Sequence, residues 1–71
     1  GRTFVVCLQN TNYEASLERL KIYHALSDPE AAKCRQIRVA DESGEDYLYS
    51  QNFFARIELP QRIRRAVLAA A

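Results

Sequence analysis

The chain has 71 residues, ten of them lysine or arginine and nine aspartate or glutamate, with 48% apolar residues and two cysteines. That length allows one domain near the lower limit for burying a core, and the balanced charge gives no whole-molecule field to draw it to phosphate or an anionic membrane. No apolar run approaches the ~18 residues of a membrane span and the start lacks a secretion signal, so a soluble, cytoplasmic chain is expected, with Gly1 read as a trimmed end and left outside the fold. Ten residues are alanine. The bulky core candidates are therefore few: Phe4, Val5, Val6, Leu8, Leu20, Ile22, Leu26, Ile37, Val39, Leu48, Phe53, Ile57 and Leu59.

"TFVVCLQ" (3–9) is rich in β-branched residues and is ended by the turn-forming "NTN", which predicts a first strand followed by a loop with Tyr13 at its tip. Residues 17–26 fit two periods. Leu17, Leu20 and Leu26 with Ala25 suit a helical face, whereas Leu20, Ile22, His24 and Leu26 alternate as in a strand. A strand over 19–26 is preferred, because a lone first strand needs a neighbour. "SDPEAAKC" offers Ser27 or Asp28 as an N-cap, Pro29 at a first helical position and alanines behind it, which predicts a short helical turn.

"QIRVAD" then reads as a strand with Ile37 and Val39 on one side, and "ESGE" supplies the glycine for a reversal into "DYLYS", so residues 36–50 make a β-hairpin. "SQNFF" predicts one helical turn, "ARIEL" (55–59) a last strand, and Pro60 the stop of the sheet and start of a helix. In that helix Ile63, Val67 and Ala70 form a narrow apolar stripe, with Arg62, Arg64 and Arg65 in water. The expected architecture is mainly β: a small SH3-like five-stranded antiparallel barrel over 2–59 with a short helical turn, and a C-terminal α-helix over 60–71, in one domain.

The stretch "IRVADESGEDYLYSQNFFARIELP" also resembles a segment of small bacterial proteins, in which a similar Asp-Glu-Ser-Gly-Glu-Asp-Tyr-Leu-Tyr run precedes a Phe and a closing strand. The resemblance covers residues 14–68, and its distinctive part is 41–49. It implies a compact SH3-like fold and carries no assigned activity. A glycine or other turn-forming residue would be expected before Lys21, where this chain has Arg19 and Leu20.

Residues 41–54 set four acids against four aromatic rings. Asp41, Glu42, Glu45 and Asp46 are expected to flank a solvated turn, with Tyr47 and Tyr49 outward on the next strand and Leu48 inward. Read functionally, Tyr47, Tyr49, Phe53 or Phe54, and Tyr13 form a shallow aromatic groove with an acidic lip, suited to a basic or proline-containing segment of another protein. The alternative is single-stranded nucleic acid, with Arg35, Arg38, Arg56, Arg62, Arg64 and Arg65 supplying charge; the adjacent acids oppose it.

Cys7 and Cys34 are separated by 26 residues with no Cys-x-x-Cys pair, which suggests buried free thiols, a bridge requiring the fold to bring their Cα atoms within roughly 7 Å. His24 lacks an evident nucleophile or metal-ligand partner by spacing and reads as structural. A noncatalytic interaction module or accessory subunit without metal or cofactor is expected, monomeric or weakly dimeric through the last helix.

Overall fold

The structure, a computed structural model, describes residues 2–70; Gly1, Ala71 and the side chains of Arg2 and Ala70 lie outside that description. Five strands, β1 (Arg2–Cys7), β2 (Ile22–Leu26), β3 (Gln36–Ala40), β4 (Asp46–Ser50) and β5 (Phe54–Ile57), form one antiparallel sheet in the order β4-β3-β2-β1-β5. A helical turn α1 (Pro29–Lys33) joins β2 to β3, a 3-10 turn (Gln51–Phe53) joins β4 to β5, and helix α2 (Gln61–Ala70) follows. This is the expected β-rich architecture, although the sheet stays open, so that barrel describes it only loosely. No described helix is long and apolar enough to cross a membrane.

The local chemistry of the turns is as the sequence predicts. Asp28 caps α1, its side chain accepting the Ala31 amide at 3.0 Å, and Pro29 occupies the first turn, where a missing N–H costs nothing. Ser50 caps the 3-10 turn through the Asn52 amide. Gly44 adopts φ +84° in the β3–β4 turn, a conformation that L side chains resist.

The register decides which residues meet. Val5 pairs with Tyr23, Ala25 with Val39, Val39 with Tyr47, Ile37 with Tyr49, and Cys7 with Phe54, which places all of them on one face of the sheet. The main core forms there, from Val5, Cys7, Tyr23, Ala25, Val39, Tyr49 and Phe54, with Leu17 as its lid. Leu17 arrives from the β1–β2 loop. That loop is folded over the core by the Leu17 amide on the Tyr13 carbonyl, the Asn10 side-chain amide on the Leu17 carbonyl and the Leu20 amide on the Cys7 carbonyl.

The opposite face carries Phe4, Ile22, His24, Leu26, Arg38 and Leu48. Helix α2 lies over Phe4, where the Arg64 guanidinium sits 4.8 Å above the ring and the His24 ring packs edge-on at 5.1 Å.

Four expectations are corrected. The second strand begins at Ile22, because residues 18–20 are consumed by a turn; Leu20 takes φ +66°, and its side chain is 67% exposed. The buried residues of β2 are Tyr23 and Ala25, whereas Ile22, His24 and Leu26 face the α2 side and are only half-buried. Leu48 points away from the main core, since antiparallel pairing with Ile37 and Val39 fixes Tyr49 and Tyr47 on their side. In α2 the half-buried residues are Arg64 and Val67, while Ile63, expected in the apolar stripe, is exposed; the Ala70 side chain, also expected there, lies outside the described residues.

Two substitutions check this packing by urea denaturation. Leu17→Ala removes a fully covered side chain and is expected to cost about 2–4 kcal/mol. Leu20→Gly relieves a left-handed backbone at an exposed position and is expected to stabilise the fold by up to about 1 kcal/mol.

Candidate functional site

The residues around the β3–β4 turn divide into a buried network and an exposed aromatic rim. Asp41 is the one buried charged residue among the described residues, at 7% exposure. A carboxylate taken out of water must be hydrogen-bonded to be tolerated. Asp41 accepts the Ser43 amide at 2.9 Å and the Ser43 hydroxyl at 2.5 Å on Oδ1, and the Tyr49 hydroxyl at 2.6 Å on Oδ2. Burial pushes its pKa up, but these donors outweigh burial and leave the carboxyl below its ordinary value. Because the phenolic proton of Tyr49 goes to Asp41, Ser16 donates to the Tyr49 oxygen at 3.0 Å and ties the β1–β2 loop to the hairpin.

Glu42 anchors the same loop from the next position. Its amide donates to the Ser16 carbonyl at 3.0 Å, and its carboxylate takes the Lys21 ammonium and the Tyr23 hydroxyl. Tyr23 in turn accepts the Glu18 amide at 2.7 Å. The Lys21 contact holds Glu42 below the usual carboxylate range. Burial, reinforced by the adjacent carboxylates, pushes the Tyr23 and Tyr49 phenols up to about 12. Asp46 pairs with Arg38 at 2.9 Å, and Arg38 also reaches the α1 cap Asp28 at 2.8 Å.

The expected acidic lip is therefore mostly spent on structure. Asp41 is interred, Glu42 and Asp46 are ion-paired, and Glu45 remains as an exposed carboxylate at the turn. Tyr49, expected at the surface, is 3% exposed, because its strand partner Ile37 faces the core.

The other aromatic residues do meet. Tyr13 stands edge-on to Tyr49 at 5.0 Å and to Phe53 at 5.9 Å, and Tyr49 lies 6.0 Å from Phe54. Tyr13 remains 44% exposed, and Tyr47, next to Tyr49 along the same face of β4, 57%. Tyr13 and the half-buried Phe53 thus form a rim over the buried Tyr49, and Tyr47 extends it along β4 with no ring contact to either among the described residues.

The arginines do not gather into one patch, although Arg38 and Arg56 line a common cleft. Arg35 precedes β3, Arg56 lies on β5, and Arg62 and Arg65 are exposed on α2, while Arg38 is held between two carboxylates and Arg64 covers Phe4. Both thiols are free. Cys7 is fully buried, with burial pushing its thiol up, and Cys34, expected to be buried, is exposed. A cleft of about 670 Å³ adjoins the buried network, lined by Lys21, Tyr23, Asp41 and Glu42 on one side and by Ile22, His24, Leu26 and the α2 residue Val67 on the other.

Tyr23, Tyr49 and Leu17 were not singled out by sequence as structural anchors. The available signal was pairing: once Ile37 and Val39 face inward across a turn of five residues, 41–45, Tyr49 must do so too. No protein-family model matches the chain, and no curated protein or solved structure matches it.

The network has a pH signature. Asp41 and Glu42 are depressed in the fold, so their contribution to stability is complete above the unfolded carboxylate values near ~4 and is lost as pH falls through the lower folded values. Tyr23 and Tyr49 are raised, so theirs is complete below ~10 and is lost as pH climbs toward about 12. Thermal melts across pH should show both limbs, and Tyr49→Phe, which deprives Asp41 of a donor, should cost about 1–3 kcal/mol near neutrality.

Proposed function

We propose that this chain is a noncatalytic protein-interaction module that binds a basic or proline-containing segment of another protein across the rim of Tyr13, Tyr47 and Phe53. The observation that carries this reading is the exposure of Tyr47 and Tyr13 beside a ring, Tyr49, whose position is locked by Asp41 and Ser16. Large rings held on a rigid floor offer contact area at low entropic cost, and faces left open to water accept cations and prolyl rings. Glu45 supplies the remaining free carboxylate at the edge and favours a basic partner. The nucleic-acid alternative is weakened by the engagement of Arg38 and Arg64 within the fold and by the spread of the others, with Arg35 before β3, Arg56 on β5 and Arg62 and Arg65 on α2.

The test is an amide-shift titration of the labelled chain with basic, proline-containing peptides and, in parallel, with random single-stranded oligonucleotides. Peptide-induced shifts should centre on Tyr13, Glu45, Tyr47 and Phe53. Tyr47→Ala should weaken peptide binding by about tenfold or more while moving folding stability by less than about 0.5 kcal/mol. Shifts produced by oligonucleotide alone, spread over Arg35, Arg56 and Arg62 and erased by added salt, would overturn the peptide reading in favour of nucleic acid.

A further inference from the structure

The sheet has two edges, and they differ. On β5 the ladder to β1 is phased by the Leu8 amide on the Phe53 carbonyl, so the outward backbone positions are Phe54, Arg56 and Glu58. Two of these three carry charge, and Pro60 closes the segment, both common guards against strand addition. On β4 the Asp41 amide donates to the Glu45 carbonyl and the Gln51 amide to the Arg35 carbonyl. That phase turns the backbone of Tyr47 and Tyr49 toward β3 and the N–H and C=O groups of Asp46, Leu48 and Ser50 away from the sheet. Between Asp46 and Ser50 the strand reads Tyr-Leu-Tyr, with no proline, glycine or charge. Leu48 makes no backbone bond outside the sheet ladder among the described residues.

The geometry points to the β4 edge as a pairing surface for a second copy of this chain, antiparallel about a twofold axis at Leu48, so that two five-stranded sheets become one. A twofold contact must be self-complementary, and this register is. It sets Leu48 opposite Leu48, Tyr47 opposite Tyr49 of the second copy, and the Asp46 carboxylate opposite the Ser50 hydroxyl instead of another acid. A shift of two residues in either direction leaves fewer pairs: one places Asp46 opposite Leu48, and the other leaves Asp46 beyond the end of the partner strand. In the centred register the exposed Tyr47 gains an aromatic neighbour that Tyr13 already braces. The contact uses backbone groups of β4, so it goes beyond the peptide-binding reading and does not depend on it.

The test is sedimentation equilibrium of the full chain over a wide concentration range, with two variants. Leu48→Lys keeps the N–H but puts a charge at the axis. Leu48→Pro removes an N–H that the chain's own ladder does not use. The expected result is a monomer–dimer equilibrium weakened by about tenfold or more in both variants. In the unaltered chain, amide exchange at Leu48 and Ser50 should slow as concentration rises, while exchange at Arg56 stays unchanged; this second readout holds even if a variant fails to fold.

A monomer at every concentration overturns the inference. So does a dimer that survives both substitutions or that is abolished by Ile63→Asp on α2. A dimer in a chain that binds no basic peptide would leave this inference standing and remove the peptide reading; a monomer that binds peptide would do the reverse.

Discussion

The buried carboxylate of Asp41 is the constraint around which the molecule is arranged. Its two oxygens receive the Ser43 amide and hydroxyl from the turn and the Tyr49 hydroxyl from β4, and through Tyr49 and Ser16 it reaches the β1–β2 loop. A carboxylate in that position is costly unless each donor is in place. The turn shape, the inward rotation of Tyr49 and the seating of the loop are therefore coupled. Leu17 covers the core because Ser16, one residue earlier, is held by both the Tyr49 oxygen and the Glu42 amide.

This coupling explains the proximity of acid and aromatic in residues 41–54. The carboxylates are acceptors for phenols that a small core buries for their rings and must satisfy at their hydroxyls. Tyr23 with Glu42 repeats the pattern of Tyr49 with Asp41, one strand pair away. Small domains have few large aliphatic side chains to spend, and here two tyrosines fill core volume while their hydroxyls fasten the loop above them. What this arrangement leaves exposed is Tyr47 beyond the loop, Tyr13 at its outer end, and Glu45.

The succession of elements along the chain was legible because its signals are local. Gly44 marks the hairpin, Asp28-Pro29 the helical turn, Ser50 the 3-10 turn and Pro60 the end of the sheet, and each acts through its own backbone. The facing of β2 and β4 was not legible from hydrophobicity. In "DYLYS" and "LKIYHAL" both alternating sets contain apolar residues, because both faces of the sheet are partly covered, one by the loop and one by α2. Leucine outranks tyrosine as a core former on any transfer scale, yet pairing parity with Val39 and Ile37 overrides that preference. Tyr13, Tyr49, Phe53 and Phe54, grouped from the sequence, do meet, while the burial of Tyr49 among them depended on its strand parity and on the acid its hydroxyl reaches.

The seat of α2 differs in kind from the main core. Phe4 is covered by a guanidinium and an imidazole, with Val67 the apolar half-buried residue of the helix beside them. Every member of the larger cluster lies before Pro60 in the chain. The main core is thus complete at β5, and what α2 covers is the other face of the sheet, Phe4 first, with Ile22, His24 and Leu26 on the same side.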